Sequence, residues 1–177
     1  EDYGADALRL YLINSGLVKA EEQRFKDAGV KEMTRRALLP WLNAYRFLKT
    51  YTAIDHWTPG EVTEPSPNIM DQWLLSRLQT LKANITDEME AYRLYNVVPP
   101  LFDFIEELTN WYIRRNRARF WDEALTKDKA HAFNTLHTAV YEFTVCMAPF
   151  APFLSETIYQ ALPASESAPE SVHLCSY

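Results

Sequence analysis

Apolar residues recur at spacings of three and four over most of this 177-residue chain. Such spacing places them on one face of an α-helix, at about 100° of rotation per residue. The pattern predicts helices at residues 6–13, 30–54, 69–92, 99–121, 133–147 and 154–162. We therefore expect an all-α fold, an antiparallel bundle of about five to six helices.

Prolines mark the ends and the weak points of these helices. Pro40 lies inside the second predicted helix and should kink it or split it into two segments, because proline lacks an N–H and clashes with the preceding turn. Residues 58–68 hold three prolines and a glycine, which indicates a surface linker. We divide the chain into a connector helix at 1–16, a bundle at 17–163, and a flexible lead at 164–177 that begins a C-terminal appendage. The last piece, 171–177, could form a short extended strand.

Composition limits the function classes. The net charge is −6 and the pI is near 5.2, so no global field attracts a polyanion and any contact with a nucleic acid must come from a local patch. Cys146 and Cys175 form no metal-binding spacing, and Cys146 is expected to be a small buried apolar residue in a reducing, cytoplasmic setting. No apolar run is long enough to span a bilayer, and no signal peptide is visible. The chain begins inside a helical pattern without Met and reads as an excerpt.

The most informative segment is 110–121, Asn-Trp-Tyr-Ile-Arg-Arg-Asn-Arg-Ala-Arg-Phe-Trp. It sets arginines between tryptophans, a combination typical of surfaces that bind phosphates and unstacked bases. On a regular helix one solvent-facing side carries a set that we call the cationic strip: Asn110, Arg114, Arg117 and Trp121. The alternative is that Trp121 folds onto a neighbour while the arginines only solvate the surface.

The opposite side of this helix carries the apolar stripes. The main stripe comprises Leu101, Phe104, Leu108, Trp111 and Tyr112. Arg115 and Arg119 continue it, so we expect both to point inward and to pair with a buried carboxylate, with RNA contact as the weaker alternative. Arg36, Asn43 and Arg46 on the Pro40 helix form a second possible RNA contact line, for which a plain polar helix face is the favoured alternative.

Catalytic motifs are missing from the sequence. It contains no glycine-rich phosphate loop, no His/Cys metal cluster and no nucleophile elbow. His131 and His137 lie near a core stripe, where a satisfied or half-exposed histidine is more common than a ligand. We expect no catalytic residue, no metal site and no cofactor within these residues.

Five stretches, taken in order, resemble one protein family. They are Tyr-Gly-Ala-Asp-Ala-Leu-Arg at 3–9, Leu-Pro-Trp-Leu-Asn-Ala-Tyr-Arg-Phe at 39–47, Asp-Gln-Trp-Leu-Leu-Ser-Arg-Leu at 71–78, the 110–121 segment, and Met-Ala-Pro-Phe-Ala-Pro-Phe at 147–153 followed by Ser-Val-His-Leu at 171–174. Together they are similar to the helical anticodon-binding region of isoleucyl-tRNA synthetase, a class I aminoacyl-tRNA synthetase. Asn116 and Ala118 depart from the family pattern, where Ser and Arg are usual, and the second change removes a cation.

The resemblance implies a function. The full-length parent would attach isoleucine to its tRNA using ATP and magnesium, at a catalytic domain outside this chain. This fragment would hold the anticodon stem-loop of the isoleucine tRNA, weakly on its own and with strong salt dependence. A methionine-specific relative has a similar helix whose Trp stacks on an anticodon base, which suggests the same role for Trp121. Two alternatives remain: the same module of a valine, leucine or methionine enzyme, or a structural bundle that docks proteins and no RNA.

Overall fold

The computed structural model describes residues 3–163 and 168–176 of the chain. Within them the fold is all-α and no strand occurs. Eight helices follow in order: α1 (Ala5–Ile13), α2 (Asp27–Met33), α3 (Leu39–Ile54), α4 (Ile69–Glu90), α5 (Val98–Glu106), α6 (Arg114–Phe120), α7 (Lys127–Met147) and α8 (Pro152–Ala161). Short 3-10 turns lie at Gly16–Lys19, Leu94–Asn96 and Val172–Leu174.

Two pairs of helices are continuous through wide π-helical turns. The turn Thr34–Leu38 joins α2 to α3, and the turn Glu107–Ile113 joins α5 to α6. The described helices therefore form six rods, as the sequence predicted. The first π turn is the interruption expected at Pro40, because the proline ring would clash with the carbonyl of Arg36 in a regular helix and a wider turn moves that carbonyl away.

The rods alternate in direction around one apolar core. Trp41 of α3 donates its indole N–H to Thr144 near the end of α7, and Trp57 packs on Phe133 near the start of α7, so α3 and α7 run antiparallel. Lys82 pairs with Glu142 at 2.5 Å, in the middle of α4 and the second half of α7. The central helix α7 is buried over most of its length, and the core also includes Ala7 and Leu10 of α1.

The C-terminal piece corrects one expectation. Residues 171–177 were expected to be extended, but Val172–Leu174 form a 3-10 turn; the last position of that range, 177, lies outside the described residues. Glu156 of α8 accepts hydrogen bonds from the Ser171 hydroxyl (3.0 Å) and the Val172 N–H (2.9 Å). These bonds and the burial of Val172 against Val145 favour a compact turn over a strand, which would need a partner strand.

A buried carboxylate joins three parts of the bundle. Asp71, in the first turn of α4, has no exposed surface. Its oxygens accept hydrogen bonds from Ser66 (2.6 Å), from Tyr112 (2.7 Å) and from both terminal nitrogens of Arg119 (2.7 and 2.9 Å). Burial, and then the nearby charge of Asp71, raise the pKa of Tyr112 well above its usual value, so this phenol keeps its proton and donates it.

We predict that Asp71→Ala lowers the free energy of unfolding by about 3–5 kcal/mol, because the Tyr112 phenol loses its acceptor and Arg119 loses its buried carboxylate and keeps only Asp128. Asp128→Ala is the matched control: Asp128 also pairs with Arg119, but its side chain is 55% exposed, so we expect a loss below about 1 kcal/mol. Urea unfolding of the two variants measures the difference. Equal losses would contradict the prediction.

Candidate nucleic-acid interface

The cationic strip lies on the solvent side of the α5–α6 rod. Asn110, Arg114, Arg117 and Trp121 are all exposed, while Phe120 beside them is buried. From Arg114 to Phe120 the backbone is a regular α-helix, so the 4-residue step from Arg117 to Trp121 keeps the two side chains on one face. All four predicted residues are thus accessible on this rod, and Arg117 and Trp121 lie on one face of it.

Trp121 is held outward by a hydrogen bond. Its indole N–H donates to the hydroxyl of Tyr51 on α3 at 2.7 Å, and 56% of the residue is exposed. The guanidinium of Arg117 lies 5.9 Å from the ring centroid. The bond satisfies the one polar atom of the indole, so the ring stands at the surface in a fixed orientation without a polar group left unpaired.

Within residues 3–163 and 168–176, no carboxylate binds the cations of the strip. Among the described residues, Arg114 and Arg117 form no ion pair and no side-chain hydrogen bond, and the same holds for Arg46 on α3. By contrast Arg77 binds Glu107 at 2.9 Å, which raises the pKa of Arg77, and Arg93 binds Glu88 at 2.6 Å. The chain pairs several surface arginines internally, so the unpaired ones keep their donors available for another molecule.

Arg119 points inward, as expected from the stripe, and pairs with a buried carboxylate. It contacts Asp71 and also Asp128, at 2.8 Å from its Nε. Burial works against its charge, but the hydrogen bonds to both carboxylates outweigh that cost and raise its pKa. Its remaining Nη1 contact, 3.0 Å, goes to the amide oxygen of Asn116. With these donors engaged, Arg119 has little left to offer an RNA.

The prediction that Arg115 also points inward is wrong. It is exposed, and its guanidinium lies over the indole of Trp111, 4.1 Å from the centroid. Trp111, expected in the main apolar stripe, is 50% exposed. The stripe continues instead through Tyr112 and the buried Asn116, whose amide donates to the Tyr112 carbonyl.

The π turn is the physical reason for this shift. A helix at 3.6 residues per turn would take the inward side from Leu108 to Trp111 and then to Arg115. The wide turn Glu107–Ile113 adds a residue, so the inward side passes from Leu108 to Tyr112 and then to Asn116. Trp111 and Arg115 are thereby rotated into solvent together. No feature of the apolar spacing alone signals the extra residue.

The second predicted contact line lies beside the first. Arg36, Asn43 and Arg46 are exposed, and the guanidinium of Arg36 sits 5.1 Å from the ring of Phe102 on α5. Farther along, Phe47 packs on Phe120 with ring centroids 5.1 Å apart. Together with the Tyr51–Trp121 bond, these contacts show that α3 runs parallel to the α5–α6 rod. Arg36 and Asn110 line one groove between them.

A cleft opens where this groove ends, at the base of Trp121. Its volume is 420 Å³, enough for a flat heterocyclic ring. Aromatic surface comes from Tyr51, Phe120 and Trp121, and polar groups come from Asp55 and Lys129, which pair at 2.6 Å. Sequence reasoning missed Tyr51; its position four residues after Phe47 on the apolar edge of α3 is the only signal that it could face this helix.

The charge around the strip is uneven along the rod. Exposed Asp103 and Glu106 precede it, and exposed Asp122 and Glu123 follow Trp121. The arginines therefore form a short positive zone between acidic ends, which restricts where a polyanion can approach.

Elsewhere, burial raises the pKa of the Cys146 thiol to about 12 and lowers the pKa of His137, so neither group is poised for chemistry.

The described residues contain neither a metal-binding cluster nor a membrane-spanning helix. Within residues 3–163 and 168–176, no group of three or more His, Cys, Asp and Glu side chains is arranged to hold a metal ion. In the same part of the chain, no helix combines the length and the apolar character needed to cross a membrane.

Comparisons with known proteins agree on one family. A family model described as "Anticodon-binding domain of tRNA ligase" matches residues 71–177. The chain is 51% identical over 176 residues to an isoleucine–tRNA ligase of Bdellovibrio bacteriovorus, and 48% identical over 175 residues to one of Chlamydia trachomatis serovar L2. In both cases 99% of this chain is covered, and the chain spans 17% of the length of the relative.

A solved structure supports the fold alone. It is the ternary complex LeuRS–tRNA–LeuAMS from Agrobacterium radiobacter K84, with a TM-score of 0.58 and 18% sequence identity. The match covers 94% of this chain and 19% of the LeuRS chain. At that identity the likeness establishes a shared arrangement of helices and no shared site residues.

We predict that Tyr51→Phe releases the Trp121 indole. The indole N–H then loses its acceptor, so its ¹H–¹⁵N resonance should move and its hydrogen exchange should accelerate, while stability falls by no more than about 1 kcal/mol. The Trp41 indole, which donates to Thr144 at 3.3 Å in the core, is the internal control and should not change. A Trp121 resonance that is identical in both proteins would show that the bond does not fix the ring.

Proposed function

The chain belongs to the family of anticodon-binding domains of tRNA ligases, and from this premise we propose that its cationic strip binds the anticodon stem-loop of a tRNA. The observation that carries the proposal is Trp121, an exposed indole fixed by Tyr51, beside arginines that have no carboxylate partner among the described residues. An exposed aromatic face among cations suits an unstacked base on a phosphate backbone. The same surface is hard to explain by stability, since burying the indole would stabilise the fold more.

Each residue of the strip has a distinct proposed role. Trp121 offers a ring face to one unstacked anticodon base, a contact worth about 1–3 kcal/mol. Arg114 and Arg117 bind phosphates, or stack and hydrogen-bond on bases, and Asn110 reads a base edge with its amide. Because the Tyr51 bond already fixes the indole, little further ordering is needed on binding.

The neighbouring helix would supply the other side of the contact. Arg36 lines the groove between α3 and the α5–α6 rod, and Asn43 and Arg46 are exposed farther along α3. We assign all three to positioning the RNA backbone. Arg46 is without a carboxylate partner among the described residues, whereas Arg36 lies 4.0 Å from Glu32. Arg119 is left out of the proposed contact, because Asp71 and Asp128 hold it.

We further propose that the full-length protein is an isoleucine–tRNA ligase and that its RNA partner is the isoleucine tRNA. Support comes from relatives that are 44–51% identical over 99–100% of this chain and are all named isoleucine–tRNA ligase. The valine, leucine and methionine enzymes are the competing assignments. ATP and magnesium would act at the catalytic domain of the full-length protein; within residues 3–163 and 168–176 no acidic cluster is arranged to hold a metal ion.

The competing function is a bundle that docks only proteins, and it predicts a different environment for the arginines. It would be supported if acidic neighbours neutralised them, as Asp71 and Asp128 neutralise Arg119. Arg114 and Arg117 lack such partners in the described part of the chain. Their free charge favours a polyanion, although the net charge of −6 limits the affinity and makes it depend on salt.

We predict that replacing both Arg114 and Arg117 by Gln weakens binding of an RNA hairpin that carries the isoleucine anticodon loop. The slope of log K against log salt concentration should fall in magnitude by about 1.4–1.8, for two phosphate contacts. Trp121→Ala should weaken binding about 5- to 150-fold without changing the slope, because it removes stacking and no charge. Filter binding by the intact protein at several salt concentrations measures both effects.

The control is Arg24→Gln, which removes an exposed arginine from the segment between the turn Gly16–Lys19 and α2. It should bind like the wild type. The proposal fails if the double variant binds as tightly as Arg24→Gln. Competition by valine and methionine anticodon hairpins tests the isoleucine assignment, which fails if either displaces the isoleucine hairpin with equal affinity.

A further inference from the structure

Trp111 and Arg115 form an exposed stacked pair that the cationic strip does not include. The guanidinium centre lies 4.1 Å from the indole centroid, closer than the 5.9 Å between Arg117 and Trp121. Half of Trp111 is exposed, although an indole on a helix between neighbours can usually be buried. The π turn Glu107–Ile113 places both side chains in solvent, so their exposure is built into the backbone.

The pair lies on the flank of α6 that faces away from α3. Arg115 precedes Trp121 by six residues, which places the two about 120° apart around the helix and about 9 Å apart along it. Arg114 is exposed next to Arg115 in sequence. The pair and the strip are therefore two ends of one exposed arc, and a single RNA strand that crosses the helix can touch both.

The guanidinium of Arg115 is held in place but remains unused. Among the described residues it has no hydrogen bond and no carboxylate partner. Contact with the indole restricts the side chain, which otherwise loses considerable rotamer freedom when it binds a ligand. The contact with the indole runs through the guanidinium carbon, and no hydrogen bond from the N–H donors of Arg115 goes to any described residue, so these donors are available to a ligand.

The nearby acids do not cancel this charge. Glu107, one turn before Trp111, is bound to Arg77 at 2.9 Å. Asp128 is bound to Arg119 at 2.8 Å. Asp122 is exposed and lies beyond the end of α6, seven residues after Arg115. Arg115 is thus a local positive charge with a free planar donor set, which matches the oxygens of a phosphate.

We propose that Trp111 and Arg115 form a second RNA contact, in which Arg115 binds a backbone phosphate and Trp111 is the positioning residue that holds the guanidinium. The inference rests on the proposed anticodon-arm function and extends it to the opposite flank of α6. A phosphate is favoured over a base because the guanidinium already covers the indole face on its side. An acidic protein surface is the competing partner, and the test separates the two.

The test compares Arg115→Gln, Trp111→Leu and the double variant in the intact protein, with the isoleucine anticodon hairpin as the probe. Arg115→Gln should weaken binding about three- to tenfold and lower the magnitude of the salt slope by about 0.7–0.9, one phosphate contact. Trp111→Leu keeps the charge, so it should weaken binding by about two- to threefold with the slope unchanged. In the double variant Trp111→Leu should add nothing, because its effect passes through Arg115.

The outcomes are distinguishable from those of the proposed function. Arg24→Gln is again the charge-matched control, and circular dichroism melting shows that each variant is folded. The inference is overturned if Arg115→Gln matches Arg24→Gln while the Arg114/Arg117 variant weakens binding; the stack would then serve a protein contact. The positioning role is overturned if Trp111→Leu lowers the affinity for the hairpin by the same factor in the Arg115→Gln background as in the wild type. If no variant, including that of the strip, alters binding, the proposed function itself fails.

Discussion

The four hydrogen bonds around the Asp71 carboxylate hold together the parts of the bundle that carry the candidate interface. They tie the start of α4 to Tyr112 in the π turn and to Arg119 near the end of α6. A charge without exposed surface is tolerated only when every donor stays in place, so the network fixes the rotation of α6 about its axis. Once Arg119 points inward, Phe120 meets Phe47 and Trp121 meets Tyr51 on α3.

The two π turns determine which side chains of the two rods are exposed. Thr34–Leu38 accommodates Pro40 in the rod that supplies Arg36, Asn43 and Arg46. Glu107–Ile113 moves Trp111 and Arg115 from the inward side to the outside and places Tyr112 and Asn116 where the Asp71 network needs them. One extra residue in the helix thus serves both the buried network and the exposed arc, and this explains why an irregular turn persists in the middle of a long rod.

The acidic composition and the proposed RNA contact are compatible because carboxylates bind some arginines of the chain and leave others available. Arg77, Arg93 and Arg119 are neutralised by carboxylates within the chain, while Arg114, Arg115 and Arg117 are left without one in the described residues. A small unpaired zone on a protein of net charge −6 gives a local attraction and no general affinity for polyanions. Selectivity for one RNA shape follows more easily from such a surface than from a uniformly basic one, since contacts away from the zone are repelled.

Periodicity and proline act over a few residues, so the helices, the apolar core and the outward position of the cationic strip could be predicted from the amino-acid sequence. It also indicated the inward pairing of Arg119. Three features became visible only in the folded chain. One is the π turn that exposes Trp111 and Arg115. The others are two long-range partners: Asp71, 48 residues from Arg119, and Tyr51, 70 residues from Trp121. A prediction that assumes 100° of rotation per residue cannot detect the extra residue of a π turn. Local spacing also carries no information about which distant side chain lies opposite after folding.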